Sequence, residues 1–287
     1  MATLKDIRNQ ISSIKSTQQI TKAMKMVAAA KLRRAQKRMF SIRPYAIKIQ
    51  ELLFKLMAGM EDVNNPFLVE RKVKTIFLLV ITADRGLCGA FNSHIIRRTL
   101  MELDSLKNVK SVIVPVGMKG NNFFKKGNFE VGKSFVDIFN TLNLSDAAEI
   151  IDYLAAEYLN ENTDQIKIIY NEFKSVTQQN LVVEQLLPVI AERLEEKAIP
   201  DYIYESSRLA LLQSVLPKYL KIQIWRALLE SYAAELGARM TAMENATENA
   251  DELIYELSLQ YNKVRQASIT KEILEIVGGA EALKSAS

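Results

Sequence analysis

The fold is decided by residues 3–58, which read TLKDIRNQISSIKSTQQITKAMKMVAAAKLRRAQKRMFSIRPYAIKIQELLFKLMA. Apolar residues recur there at alternating steps of three and four, which is typical of the seam of a coiled coil. Thr3 and Asp6 have the spacing of a capping box, so the start of the helix is well defined. Thirteen of the sixteen seam positions are apolar. The sixteen positions are Leu4, Ile7, Ile11, Ile14, Gln18, Thr21, Lys25, Ala28, Leu32, Ala35, Met39, Ile42, Ala46, Ile49, Leu53 and Leu56.

A helix of this length cannot bury its apolar stripe alone, so the chain must contain a second long helix. A matching pattern begins after Ser207 and runs almost to Gly278, where Gly278-Gly279 is expected to end the helix. Counting back from the two inner ends places Leu4 opposite about residue 263 of an antiparallel partner. The last twenty or so residues should therefore project as a single helix. The second seam comprises Trp225, Leu229, Tyr232, Leu236, Met240, Met243, Thr247, Ala250, Ile254, Leu257, Tyr261 and Val264.

The segment between the helices has a different period. Val73–Thr82 is a β-branched run that ends in a glycine-containing turn, and a helix follows at Phe91–Leu103. Further strands are predicted at 109–116, 129–131, 165–173 and 181–189, with a helix capped by Ser145 that ends at Leu159. We therefore predict an α/β fold class: an antiparallel coiled coil of the N- and C-terminal helices carries a small inserted domain with a mostly parallel sheet. The predicted parts are residues 1–60, 61–206 and 207–287.

Amino-acid composition and charge indicate the compartment of the protein and the kind of partner that it meets. The 287 residues are 48% hydrophobic and 25% charged, and no apolar run approaches the roughly 20 residues of a membrane span. A single cysteine, Cys88, forbids an internal disulfide and favours a reducing compartment, so we expect a cytoplasmic protein that is not inserted in a membrane. Residues 1–60 hold thirteen Lys or Arg against two acids, although the net charge of the whole chain is only +5. Such a basic helix requires an acidic partner.

One segment imitates a nucleotide-binding loop. Residues 127–134, GNFEVGKS, match the phosphate-loop pattern G-x-x-x-x-G-K-S. A true phosphate loop follows a buried strand and curls its amides around phosphate, whereas this segment follows polar residues and contains a strand-like Phe-Glu-Val. We favour an ordinary strand and turn, and an enzyme that uses Lys133 is kept only as a third possibility.

No other catalytic, cofactor or metal site is predicted. The turn Asp84–Gly89 lies at the carboxyl end of a strand, where α/β proteins bind ligands, but it lacks a histidine or a metal-ligand spacing. Cys88 and the single histidine, His94, have no sequence partners that would make them nucleophile or ligand. We interpret the turn as structural.

The basic stretch of the first helix, AKLRRAQKR at residues 30–38, allows two functional interpretations beside the commonest one, which is a solvated helix face. It resembles the basic region of a nucleic-acid-binding helix, but the seam continues through it, so the helix is paired there and cannot fork around a duplex. A protein partner that carries carboxylates is favoured. A basic coiled-coil protein that binds nucleic acid or acts as an adaptor is the alternative.

Three separated segments carry a family resemblance. ITKAMKMVAA at residues 20–29, TADRGLCG at 82–89 and YNKVRQASIT at 261–270, followed by EIVGGA at 275–280, closely resemble the gamma subunits of F-type ATP synthases. The segments occur in the family's order and cover both ends and the middle of the chain. The resemblance implies a non-catalytic rotor shaft between a proton-driven membrane ring and a hexamer of alpha and beta subunits, without a cofactor.

The resemblance also implies partner contacts. It matches Ile269, Ile273, Ile276 and Val277 to a tip that turns in an apolar sleeve, and Arg265, Gln266 and Thr270 to residues that meet a catch loop of the beta subunit. Met24 and Lys25 match positions that face an acidic loop of the beta subunit. On the same basic face we expect Lys22, Arg33 and Arg34, together with Lys25, to act by long-range attraction to acidic loops. Tyr202 and Glu205 match the foot that meets the epsilon subunit and the ring. The Met1 start favours a bacterial protein, peripheral at the cytoplasmic face of the inner membrane.

Overall fold

The computed structural model describes residues 3–58, 65–106, 109–190 and 207–285, with side chains as far as residue 280. Its contacts divide the chain into two compact units. The first unit comprises Met1–Val27 and Ala242–Ser287, and the second comprises Ala28–Thr241. The predicted boundaries near residues 60 and 206 fall in segments outside the described residues, so the three-part division stays a prediction.

Helix α1 spans Leu4–Ala58 without interruption, including Pro44. Its start has the predicted cap, because the Thr3 amide donates to Asp6 Oδ2 at 3.0 Å and the Asp6 amide donates to Thr3 Oγ1 at 3.3 Å. The Thr3 hydroxyl also donates to Asp6 Oδ2 at 2.8 Å, and this bond, together with that of the Thr3 amide, stabilises the carboxylate and lowers the pKa of Asp6. All sixteen predicted seam positions are buried or half-buried. The periodicity of the sequence is therefore confirmed as the packing face of the helix.

Helix α5 spans Arg208–Ser285 and has no break at Pro217. The prediction that Gly278-Gly279 ends this helix was wrong. Neither glycine has the positive φ of a helix-ending residue, and a Cβ at either position would meet nothing within 4 Å. A glycine inside a helix costs only about 1 kcal/mol relative to alanine, so neighbouring good helix formers carry α5 through both residues.

The second unit contains a five-stranded sheet in the order β3-β2-β1-β4-β5. The first four strands are parallel, and β5 pairs antiparallel with β4. The mostly parallel sheet of the predicted fold class is therefore confirmed. The strands are β1 (Thr75–Ile81), β2 (Lys110–Val116), β3 (Glu130–Val131), β4 (Gln165–Phe173) and β5 (Gln179–Leu187).

Three helices connect these strands: α2 (Phe91–Ser105), α3 (Met118–Lys126) and α4 (Leu144–Leu159). Helix α3 was not predicted, because its sequence is polar. Ser145 was the wrong cap for α4, since the amide of Asn143 donates to Asp146 Oδ2 at 2.7 Å and these two residues form the capping box. The fully buried core lies between the sheet and the helices, and its large side chains include Leu78, Ile81, Ile95, Tyr158 and Tyr170.

Two glycines permit close approach in this unit. Gly117, with φ of +89°, follows β2, and a Cβ there would lie 2.2 Å from the carbonyl oxygen of Thr82. Gly237 lies on α5, and its Cβ would lie 3.2 Å from the carbonyl oxygen of Val176 in the β4–β5 turn. Gly237 therefore lets the hairpin turn rest on α5.

Candidate functional site

The C-terminal part of α5 is an exposed apolar surface. Every described side chain from Ile269 to residue 280 is exposed, and Ile276 reaches 72%. The predicted residues Ile269, Ile273, Ile276 and Val277 lie along one face at helical spacing. Leu274, which the sequence analysis did not include, lies about 140° around the helix from Ile269 and is also exposed. The apolar side chains of the tip therefore cover an arc of about 160°, and the ion pair of Lys271 with Glu275 lies on the other side of the helix.

Burial on α5 ends where the register count placed it. Tyr261, Val264 and Ser268 are half-buried, and no described side chain beyond Ser268 is buried. The three predicted polar contacts, Arg265, Gln266 and Thr270, are exposed just before the apolar tip. The Thr270 hydroxyl donates to the Gln266 carbonyl at 2.9 Å, which is an ordinary bond inside the helix. Their side chains are accessible to a partner.

The first unit joins its two helices through a polar stretch of the seam. Thr21 Oγ1 and Thr247 Oγ1 are 2.7 Å apart, and the Gln18 side chain donates to Asp251. Lys25 Nζ pairs with Glu244, although the Lys25 side chain remains 37% exposed. The predicted contact residue Lys25 therefore has a carboxylate partner within its own chain. Its neighbours Lys22 and Met24 are exposed and half-buried respectively.

In the second unit, α1 carries a basic surface. Arg33 and Arg34 are exposed, while Leu32 and Ala35 beside them are buried. Arg38 is held in place, because its Nη2 donates to the Leu142 carbonyl at 2.7 Å and its guanidinium lies 5.2 Å from the ring centroid of Trp225. The packed side of the helix excludes the forked geometry of a basic-region DNA-binding helix. The predicted foot residues Tyr202 and Glu205 lie outside the described residues.

The segment that imitates a phosphate loop has a different geometry. Gly127 ends α3, and Glu130–Val131 is strand β3, so a strand occupies the middle of the motif. Lys133 Nζ pairs with Glu149 at 2.8 Å and lies 5.0 Å from the ring centroid of Phe135. The interpretation as a strand and turn is confirmed, and Lys133 holds an exposed ion pair.

The turn after β1 is a structural hub. Asp84 Oδ1 accepts hydrogen bonds from the amides of Met118 and Asp137 at 3.0 and 2.9 Å. Its carboxylate therefore ties the turn after β1 to the start of α3 and to the segment between β3 and α4. Cys88 is buried and accepts from Asn92 Nδ2 at 3.2 Å, and burial raises the pKa of its thiol to about 11. A thiol with this pKa is a poor nucleophile at neutral pH.

The described residues hold no group of three or more His, Cys, Asp or Glu side chains that could bind a metal ion. Within the same ranges no helix combines the length and the apolar character needed to cross a bilayer.

The comparisons with known proteins agree in one assignment. Residues 3–283 match the family described as ATP synthase. The ATP synthase gamma chain of Chloroherpeton thalassium is 46% identical over 304 residues, covering 100% of both chains. The ATP synthase gamma chain of Chlorobium phaeobacteroides (strain BS1) is 48% identical over 293 residues, covering 99% of both. That of Desulforamulus reducens is 46% identical, covering 99% of this chain and 100% of the relative.

Solved structures show the same architecture. A chain of the central stalk and c-ring structure of Tetrahymena thermophila mitochondrial ATP synthase superimposes with a TM-score of 0.61 at 28% identity, covering 79% of this chain and 99% of that one. A chain of the Euglena gracilis mitochondrial ATP synthase structure has a TM-score of 0.72 at 22% identity, covering 99% and 95%. The second likeness is one of fold.

Proposed function

Because the chain belongs to the family of ATP synthase gamma chains, we propose that it is the central rotor shaft of an F-type ATP synthase. The shaft transmits torque between a proton-driven ring in the membrane and the catalytic hexamer of alpha and beta subunits, during ATP synthesis or hydrolysis. The chain is a non-catalytic subunit, and it requires no cofactor for this role.

The observation that supports this role most strongly is the exposed apolar tip. A shaft end that turns must be held without directional bonds, and apolar contact is non-directional. Ile269, Ile273, Ile276 and Val277 supply such a surface, and Leu274 extends it around the helix. In the proposed complex this tip turns inside an apolar sleeve of the alpha and beta subunits.

Polar contacts with the beta subunit are proposed beside the tip. Arg265, Gln266 and Thr270 are exposed within two turns of Ile269, so a catch loop that closes on the shaft can reach all three. Bonds to an arginine side chain are charge-assisted and about twice as strong as neutral ones. They suit a contact that forms and breaks at one position of the rotor.

The basic residues of α1 are proposed to meet acidic beta-subunit loops. Lys22, Arg33 and Arg34 are exposed and attract carboxylates from a distance. Lys25 must exchange its Glu244 partner for a carboxylate of the loop, and its partial exposure makes that exchange accessible. Met24 supplies apolar contact next to it. The alternative of nucleic-acid binding has no support in the packed geometry of this helix.

The opposite end of the shaft is proposed to contact the epsilon subunit and the ring of c-subunits through Tyr202 and Glu205. The chain would thus lie at the membrane periphery, on the cytoplasmic face of a bacterial inner membrane. The identities with bacterial gamma chains support this location.

Reconstitution tests the proposed function. The purified chain is mixed with the alpha and beta subunits of a bacterial ATP synthase and separated by size exclusion. We expect it to elute with the hexamer, and a variant that ends at Val264 to elute mostly alone. Elution of the intact chain apart from the hexamer, together with tight binding to duplex DNA at about 0.15 M salt, would contradict the rotor role.

A further inference from the structure

An ion pair in the second unit, between a half-buried arginine and a buried glutamate, joins three elements. Arg43 of α1 binds Glu230 of α5 through two parallel bonds, Nε to Oε1 at 2.7 Å and Nη2 to Oε2 at 2.8 Å. The pair closes on the last residue of β4, because the Phe173 amide donates to Glu230 Oε2 at 3.1 Å and the Phe173 carbonyl accepts from Arg43 Nη2 at 3.0 Å. The amide of Phe173 is thereby bound by α5 and its carbonyl by α1.

The surroundings make the joint rigid. The Glu230 side chain is only 2% exposed, so water does not compete for its oxygens. One turn earlier on α5, Arg226 donates to Glu184 of β5 at 2.6 Å, and two turns later Gly237 rests on the β4–β5 turn. Residues 226, 230 and 237 lie on one face of the helix, so this face is fixed to the β4–β5 hairpin along about 16 Å.

The chemistry of the pair indicates its purpose. A buried ion pair is weak evidence for stability, because desolvation offsets most of the attraction. A bidentate arginine–carboxylate bond, however, fixes direction as well as distance. The joint therefore resists rotation of the helices against the sheet. The apolar tip differs in this respect, because apolar contacts are non-directional.

We infer that Arg43, Glu230 and the backbone of Phe173 form a torsional joint through which torque passes between the sheet and the two long helices. The inference rests on the proposed rotor function and adds positioning residues to it. The sequence gives one weak indication of the pair, because Glu230 is a carboxylate within the mostly apolar residues 224–234.

The test measures stiffness. The hexamer assembled with this chain is fixed to glass, a bead is attached to the sheet side of the second unit, and the angular spread of the bead is recorded without ATP. Glu230→Gln replaces charge-assisted bonds by neutral ones of about half the strength, so the angular variance should rise above that of the unsubstituted chain. Arg43→Lys, which keeps the charge but loses the fork, should act similarly. The matched control is Glu149→Gln, which neutralises an exposed pair and should leave the spread unchanged.

Stability is measured on the same variants to separate a joint from a general structural role. We expect the melting temperature to fall, because weakening one partner of a pair with a buried carboxylate is destabilising, while assembly at the assay temperature is retained and ATP synthesis against a proton gradient falls severalfold. An unchanged spread in both variants, or a wider spread that appears only with loss of assembly, would overturn the inference. Failure of the unsubstituted chain to assemble or turn would instead overturn the rotor proposal itself.

Discussion

Thr21 of α1 and Thr247 of α5 place their hydroxyl oxygens 2.7 Å apart in the seam of the first unit. Each hydroxyl also lies close to a carbonyl of its own helix, Gln18 for the first and Met243 for the second. The pairs Gln18–Asp251 and Lys25–Glu244 lie on either side of the two threonines. Residue numbers rise along α1 while those of the partners fall along α5, so the two helix segments run antiparallel in one register.

The threonine pair predicts a non-additive effect on stability. Thr21→Val or Thr247→Val alone should lower the free energy of unfolding by about 0.5 to 1.5 kcal/mol, because the remaining hydroxyl loses its contact across the seam and keeps only the carbonyl of its own helix. The double variant should be nearly as stable as the original chain, since two methyl groups then meet in an apolar seam. Urea unfolding of the four proteins measures this, with the exposed Thr17→Val as control. Strictly additive losses would show that the two hydroxyls do not interact.

Removal of the tip should separate stability from function. A chain that ends at Ser268 loses only exposed side chains among those described, so its melting should match that of the full chain. Coupled ATP synthesis by the assembled enzyme should nevertheless fall strongly, because the apolar tip is gone. Circular dichroism and synthesis assays measure the two effects.

Further truncation provides the comparison. Loss of the half-buried Tyr261, Leu257 and Ile254 should cost about 1 to 3 kcal/mol for each side chain. Melting that already falls when residues 269–287 are removed would show that the tip packs against the rest of the chain.

Lys133→Ala tests the loop that imitates a phosphate-binding motif. The exposed pair with Glu149 is worth only about 0 to 1 kcal/mol, so stability and ATP turnover of the assembled complex should not change measurably. A phosphate-loop lysine would instead be needed for nucleotide binding. Nucleotide binding by the isolated chain that disappears in this variant would reverse the interpretation.

Cys88 should be unreactive while the chain is folded. With a pKa of about 11, the thiol holds its proton at pH 8, and alkylation by iodoacetamide should be on the order of a hundredfold slower than in urea. The folded state binds this proton more tightly than the unfolded state, so the contribution of Cys88 to stability is complete below about pH 9. It should be lost as the pH rises toward 11. Mass spectrometry measures the alkylation, and equal rates in buffer and in urea would contradict the burial of Cys88.

The sequence predicted what depends on local periodicity. The two seams, the register and the exposed tip follow from helical spacing, which neighbouring residues determine by themselves. Helix α3 was missed because its polar sequence gives a weak pattern, and tertiary contacts hold it. Among these, the Gly120 amide donates to Thr82 Oγ1 at 2.9 Å.

The functional contacts were less predictable. The approach of Arg43, Glu230 and Phe173 joins residues that are 57 to 187 positions apart, and no spacing rule connects them. The partner residues near Lys25 and Arg265 were assigned by family resemblance, since an exposed charge has the same local pattern whether or not a partner binds it.

Observation of rotation tests the rotor role itself. A bead is attached through a cysteine introduced by Lys126→Cys, at an exposed position of α3, while the alpha and beta hexamer is fixed to glass and supplied with ATP. We predict that the bead turns continuously in one sense, and that it stops when ATP is removed. A bead that only fluctuates about a fixed angle, while the same hexamers hydrolyse ATP, would contradict the assignment of this chain as the rotor shaft.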